Sequence, residues 1–192
     1  MRLPPLPPAA MTPQQRALHD DMAPVVAEHL KGFVSERADG ALVGPFPPML
    51  HFPQFGRPAW DYTKALIEQA TLPKPVREVA ILATGACFNS RYELYAHEHV
   101  AESTGLSPAK IAAIAAGQRS SDLSPEEAVA YDVATALAGG KQLPGSTYGA
   151  AVAAFGKDGM GELVSLVGGY CLVSVMLNAF DMSVPGSEEG LG

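Results

Sequence analysis

TLPKPVREVAILATGACFNSRYELYAHEHVAESTGL, residues 71–106, is the stretch on which the reading of this chain turns. It opens with Pro73 and Pro75, which suit a helix start, because proline fixes φ and lacks only a donor that a first turn leaves orphaned. From Val79 to Phe88 there is neither a charge nor a proline. At Asn89-Ser90 the character changes to Arg91, Tyr92, Glu93, Tyr95, His97, Glu98 and His99. Two helices are expected, at about 75–88 and 90–104, the second closed by Gly105. An apolar segment that delivers a cluster of ionisable groups to one place is how a buried reaction site is built.

Working outward toward the N-terminus, helix character is expected around Trp60 to Ala70, with Trp60, Leu66 and Ile67 in the core. Gly40 to Pro58 holds Pro45, Pro47, Pro48, Pro53 and Pro58 and reads as an irregular wall. Thr12-Pro13 looks like a capped helix start, leading to about Gly32 with Pro24 as a kink. Residues 1–10 read as a disordered proline-rich arm. Toward the C-terminus, Ser107-Pro108 starts a short helix ending near Gly117. Ser124-Pro125-Glu126-Glu127 carries a cap, a first-turn proline and a glutamate three on from the cap, so a helix to about Leu137 follows. Two more helices are expected at 145–155 and 159–180, and a flexible tail over 184–192. Nothing alternates with period two. The fold class is all-α, one domain over 11–183 with its motif-bearing core at 72–107.

Composition narrows the function. A net charge of −7 with no basic run argues against a nucleic-acid surface. Two cysteines, Cys87 and Cys171, cannot build a disulfide framework and sit in apolar runs, which points to the cytoplasm. MRLPPLPPAAM has prolines where an export signal needs an apolar helix. Leu163 to Phe180 is uncharged for 18 residues, enough in length for a membrane span. Its Gly168, Gly169, Ser165, Ser174 and Asn178, and the acidic flanks Glu162 and Asp181, favour a buried or subunit-interface helix instead.

An internal echo accompanies this helix. At an offset of 84, Glu78, Leu82, Gly85, Cys87 and Ser90 fall on Glu162, Leu166, Gly169, Cys171 and Ser174, five identities across 21 positions. Either the fold is an internal duplication of a helical hairpin about a pseudo-twofold axis, or two helices rich in small residues match by chance. In the second copy Glu93 and His97 become Leu177 and Asp181, so chemistry would belong to the first.

Glu93 and His97 are four apart and share a helix face, where a carboxylate can orient an imidazole as general acid or base. Ser90-Arg91-Tyr92-Glu93 is also a capping box, and spacing alone favours that plainer role for Glu93. Glu78, at the mouth of an apolar helix, either complements the helix dipole, worth less than about 1 kcal/mol, or is a buried carboxyl near His97. Arg77 and Arg91 are candidate anion clamps, and the amides after Ser90 a helix N-terminal anion site; a solvated face is the commoner fate of such arginines. His51 is placed to line a pocket from the proline-rich wall. His99 points elsewhere on the helix, and Cys87 reads as a small buried apolar group. No HExxH, P-loop, G-x-S-x-G or dinucleotide fingerprint occurs and no zinc spacing, so neither a cofactor nor a metal is expected.

Leu72-Pro73, Arg77-Glu78, Ile81-Leu82, Tyr92-Glu93-Leu94, His97, Ala101 and Gly105-Leu106 together resemble the carboxymuconolactone decarboxylase family, which has the AhpD-like all-α fold. The resemblance is close over 72–107 and loose over 45–183; residues 1–40 are extra. In the family's AhpD peroxidase branch a glutamate is followed by C-x-x-C and a histidine. Glu78 and His97 fall on the glutamate and histidine, but Ser90 and Glu93 fall on the cysteines, so peroxide reduction by that thiol pair is excluded. Glu93-Leu94-Tyr95-Ala96-His97 is similar instead to the decarboxylase branch, which removes CO₂ from a γ-carboxylated muconolactone in aromatic catabolism without a cofactor. The resemblance thus implies a carboxy-lyase with Glu78, Glu93 and His97 catalytic, and the clamp, helix-terminus and pocket readings above add Ser90, Arg91, Arg77 and His51 as binding residues for a small anionic organic substrate. It also implies a homo-oligomer (dimer, trimer or hexamer). Two rivals stand beside it: a thiol oxidoreductase working through an accessible, low-pKa Cys87, and a non-catalytic oligomeric binding protein.

Overall fold

Proline begins most of the helices. In the computed structural model, which describes residues 1–186, it occupies the first or second position of α1 (Pro13–His29), α2 (Phe46–His51), α3 (Pro53–Glu68), α4 (Lys74–Phe88), α6 (Pro108–Ala115) and α7 (Pro125–Ala138). There its missing N–H costs no hydrogen bond. The other two helices are α5 (Arg91–Ser103) and α8 (Gly145–Ala179). Thr12 and Ser124 form full capping boxes with Gln15 and Glu127. Among the described residues there is no strand, only an isolated antiparallel bridge between Glu36 and Leu42.

Helix α4 lies at the centre. Val76, Val79, Ala80, Ile81, Leu82 and Ala83 are all buried, so the helix is enclosed nearly all round, and it packs on α5, α6, α7 and α8. A second apolar cluster joins α1, α2 and α3 through Leu18, Met22, Val26, Phe46, Met49 and Trp60. The indole N–H of Trp60 donates to Asp21 Oδ2 at 2.8 Å, tying α3 to α1.

Several expectations need correcting. The proline-rich stretch 40–58 is not an irregular wall, since Phe46–His51 and Pro53 onward are helical. Pro24 lies inside α1, as expected, and does not divide it, but the helix stops at His29 rather than about Gly32. Residues 1–10 are not a disordered arm: Arg2 donates from its backbone to Phe180 O (2.8 Å) and from its guanidinium to Ala179 O (2.7 Å). A cation there satisfies the last carbonyls of α8. The tail expected from 184 lies mostly outside the described residues.

Gly156, at φ 70° and ψ 179°, divides α8 where two helices are expected. Beyond it the helix runs without a turn to Ala179, whereas α4 ends at Asn89 in the left-handed region (φ 48°). The partner of Asn89 at the offset of 84 is Val173, inside α8, so the second copy of the echo is not a hairpin. By length and composition α8 is apolar enough to cross a membrane; 44% of its most apolar window is buried within the bundle.

Candidate active site

Asn89 reverses the chain so that α5 returns along α4. This brings Glu93, one turn into α5, and His97, a turn further, against Glu78, one turn into α4. Gly85 makes room: a Cβ there would stand 3.3 Å from Cγ of Glu93. The Nδ1–H of His97 donates to Oε2 of Glu78 at 2.8 Å. Nε2 lies 3.2 Å from Oε1 of Glu93, but that oxygen accepts no aligned hydrogen bond. All three side chains are buried.

The charges on these groups follow from that burial. Burial pushes the Glu93 carboxyl up from 4.5 to about 7; the His97 charge opposes this and Glu78 adds to it. For His97 burial opposes the charged form, yet the carboxylates of Glu78 and Glu93 outweigh it and the imidazole is raised above 6.5. The charged form of the ring is thus favoured beside Glu78, and Glu93 is part-protonated near pH 7. A buried carboxyl raised in this way is suited to donate a proton.

The imidazole stands in a wall between two cavities. The outer, of about 540 Å³, has Lys74, Arg77, Glu78 and Thr104 among its lining. The inner, of about 50 Å³, is walled by Val26, Leu30, Phe46, Trp60 and Val173 and touched by Glu93. Leu30, Ile67, His97 and Tyr170 belong to both. Tyr170 sets its ring edge-on to His97, with centroids 5.1 Å apart at 88°. Burial raises its phenol well above 10, with Glu93 and Glu78 adding to the effect, so it stays neutral.

The structure thus brings together Glu78, Glu93 and His97, with Arg77 beside them in the outer wall. Arg77 donates to Leu66 O at 2.7 Å, and its Nε lies 3.8 Å from Glu162. The other residues expected at the site are elsewhere. Arg91 is 68% exposed and pairs with Asp181 at 3.2 Å, so it is no clamp for this cavity. The His51 ring is bonded to Pro4 O at 2.9 Å and lines neither cavity. Ser90 starts α5 but makes no side-chain cap, and its hydroxyl is buried without a partner. The capping role favoured for Glu93 is accordingly absent. Glu78 lies a turn past the start of α4, too deep for the simple dipole role. Cys87 is exposed rather than buried; burial of part of the thiol still raises its pKa, the opposite of an activated cysteine.

Tyr170 and Trp60 escaped attention as site residues. The available signal was a phenol inside an uncharged run, since a buried tyrosine hydroxyl needs a purpose.

Comparison with known proteins agrees with this architecture. Residues 53–136 match the family described as the carboxymuconolactone decarboxylase family. One similar solved structure is an alkylhydroperoxidase AhpD core, an uncharacterized peroxidase-related protein from Ralstonia eutropha JMP134. It aligns with a TM-score of 0.76 at 19% identity, covering 96% of this chain and 92% of that one. Another is the debrominase Bmp8, as a cysteine-to-alanine variant with 2,3,4-tribromopyrrole, at a TM-score of 0.72 and 14% identity over 98% and 94% of the two chains. No curated protein matches the sequence. At such identities the structural likeness speaks for the fold, an AhpD-like helical bundle.

Proposed function

We propose, for a chain whose residues 53–136 fall in the carboxymuconolactone decarboxylase family, a cofactor-independent carboxy-lyase that works by general acid–base chemistry on a small carboxylated lactone or related oxo acid. One observation carries this reading: an imidazole fixed between two buried carboxyls, one holding its proton to about pH 7.

Arg77 and Lys74 give the outer cavity a cationic side on which a carboxylate retained by the substrate can rest. Loss of CO₂ leaves an electron pair on the neighbouring carbon, delocalised into the adjoining carbonyl as an enolate. The Glu93–His97 pair supplies the proton that quenches it. Glu78 holds the ring in orientation and favours its charged form, and it faces the outer cavity, from which the pair can be reprotonated. Cys87 lines neither cavity and has a raised rather than lowered pKa, which weighs against thiol chemistry.

The test is CO₂ release from γ-carboxymuconolactone by the wild type, His97→Ala and Glu93→Gln. Each substitution is expected to lower kcat by roughly 10²-fold or more. Turnover untouched by both changes, or abolished by Cys87→Ser, would overturn the assignment.

A further inference from the structure

The inner cavity is lined by the proton-transfer pair Glu93 and His97, yet the chemistry just described gives it no substrate group to hold. We propose that this cavity receives the departing carboxyl group: the scissile carboxylate turns from the outer cavity past His97 and Tyr170 and leaves in the inner one as CO₂. This rests on the decarboxylase reading above.

Size is the first argument. A cavity of about 50 Å³ exceeds the ~10–15 Å³ that holds one water and falls well short of the ~150 Å³ that accepts a benzene. It admits a group of two or three heavy atoms and excludes a lactone ring.

Polarity is the second. Beyond Glu93, His97 and Tyr170, which stand at the reaction site, the inner cavity's walls present no free side-chain donor. The Thr63 hydroxyl donates to Ala59 O (2.9 Å), the Tyr92 hydroxyl to Val34 O (2.9 Å) and the Trp60 N–H to Asp21 (2.8 Å). No lysine or arginine lines it; Lys74 and Arg77 belong to the outer cavity. A carboxylate moved past those three groups into the apolar part of the cavity loses most of its solvation, while neutral CO₂ loses nothing. The environment therefore favours the state in which charge has left the carboxyl, which is the differential stabilisation that lowers a barrier.

The step balances. The bond to the carboxyl carbon breaks and its electron pair passes into the adjoining carbonyl as an enolate. The carbon then takes a proton from the Glu93–His97 pair, which regains one from solvent at Glu78.

Two variants test it, Ala96→Val and Val173→Thr. Both residues are buried and line the inner cavity. The first fills space; the second keeps the shape and adds a hydroxyl. Each is assayed for CO₂ release from γ-carboxymuconolactone and, separately, for deuterium exchange from D₂O into the decarboxylated lactone. That exchange uses the same proton-transfer groups but no carboxyl. Ala96→Val is expected to slow CO₂ release about tenfold or more while exchange stays within about twofold of wild type. Val173→Thr is expected to lower KM and kcat together, because the hydroxyl solvates the ground-state carboxylate. CO₂ release unchanged in both variants overturns the proposal, and so does a parallel fall in both reactions, which would give the cavity a purely supporting role. A wild type that releases CO₂ from no carboxylated lactone or oxo acid overturns the decarboxylase reading itself, and the subsite falls with it.

Discussion

Burial holds the Glu93 carboxyl protonated to about pH 7, where the unfolded chain would release the proton near 4.5. The folded state therefore binds more protons than the unfolded state between those two values, and stability falls as pH rises through that window. His97 acts in the same direction: its raised pKa gives stability that is complete below about 6.5 and lost as pH climbs through its folded value. Glu93→Gln should remove the first contribution, melting near the wild-type temperature at pH 5 and above it at pH 8. Thermal melts across that range check this, and an unchanged slope would show that the carboxyl is already ionised in the fold. The pairing of Glu93 with His97 was legible in the sequence as a four-residue spacing. Its competitor, the cap on Ser90, failed for a reason that spacing does not carry. Gly85 on the opposite helix opens a slot into which Glu93 turns, and the amide it would have capped, Ser90 N, donates instead to Gly85 O at 3.0 Å.

Among the elements, helix starts were the most readable feature, because Thr12, Ser107 and Ser124 each accept a backbone hydrogen bond as their sequence context predicts. The same rule misled at 46–58. Prolines counted there as breakers sit mainly in the first turns of α2 and α3 and break nothing. What joins these two helices is a close approach: a Cβ on Gly56 would lie 1.9 Å from the Met49 carbonyl oxygen. Backbone cannot yield as a side-chain tip does, so Gly56→Ala must push α2 and α3 apart. It should cost about 1–3 kcal/mol, or roughly 2–4 °C of Tm per kcal/mol in a chain of this length. Differential scanning calorimetry would show it; a wild-type Tm would mean that the two helices separate freely. The change should reach the site, since Phe46 and Trp60 on those helices wall the inner cavity.

For the whole molecule, the all-α class and the central hairpin could be read from residue order, but the cover over the site could not. Val25, Val26, Leu30 and Phe33 close the inner cavity from a segment far from the motif in sequence, and no local pattern announces such a contact. Another surface is left open: the exposed Phe52, Phe55 (73% exposed), Tyr62 and Leu172 line one apolar groove at α3 and α8. Exposed apolar surface of this kind marks association, and a second copy of the chain is the expected occupant. Sedimentation should give a species heavier than the 20.1 kDa protomer, and Leu172→Glu should shift it toward that mass. A wild type that sediments as a protomer would count against the oligomer.

Finally, the imidazole of His97 is flanked by a carboxyl at each nitrogen and by the edge of Tyr170. A ring so pinned cannot swing around a bound molecule. On the chemistry proposed above, its proton approaches a flat enolate from one side only. The new stereocentre would then have a single handedness, imposed by the architecture of the wall and not by the substrate, and product formed in heavy water would be one mirror form carrying deuterium at one position.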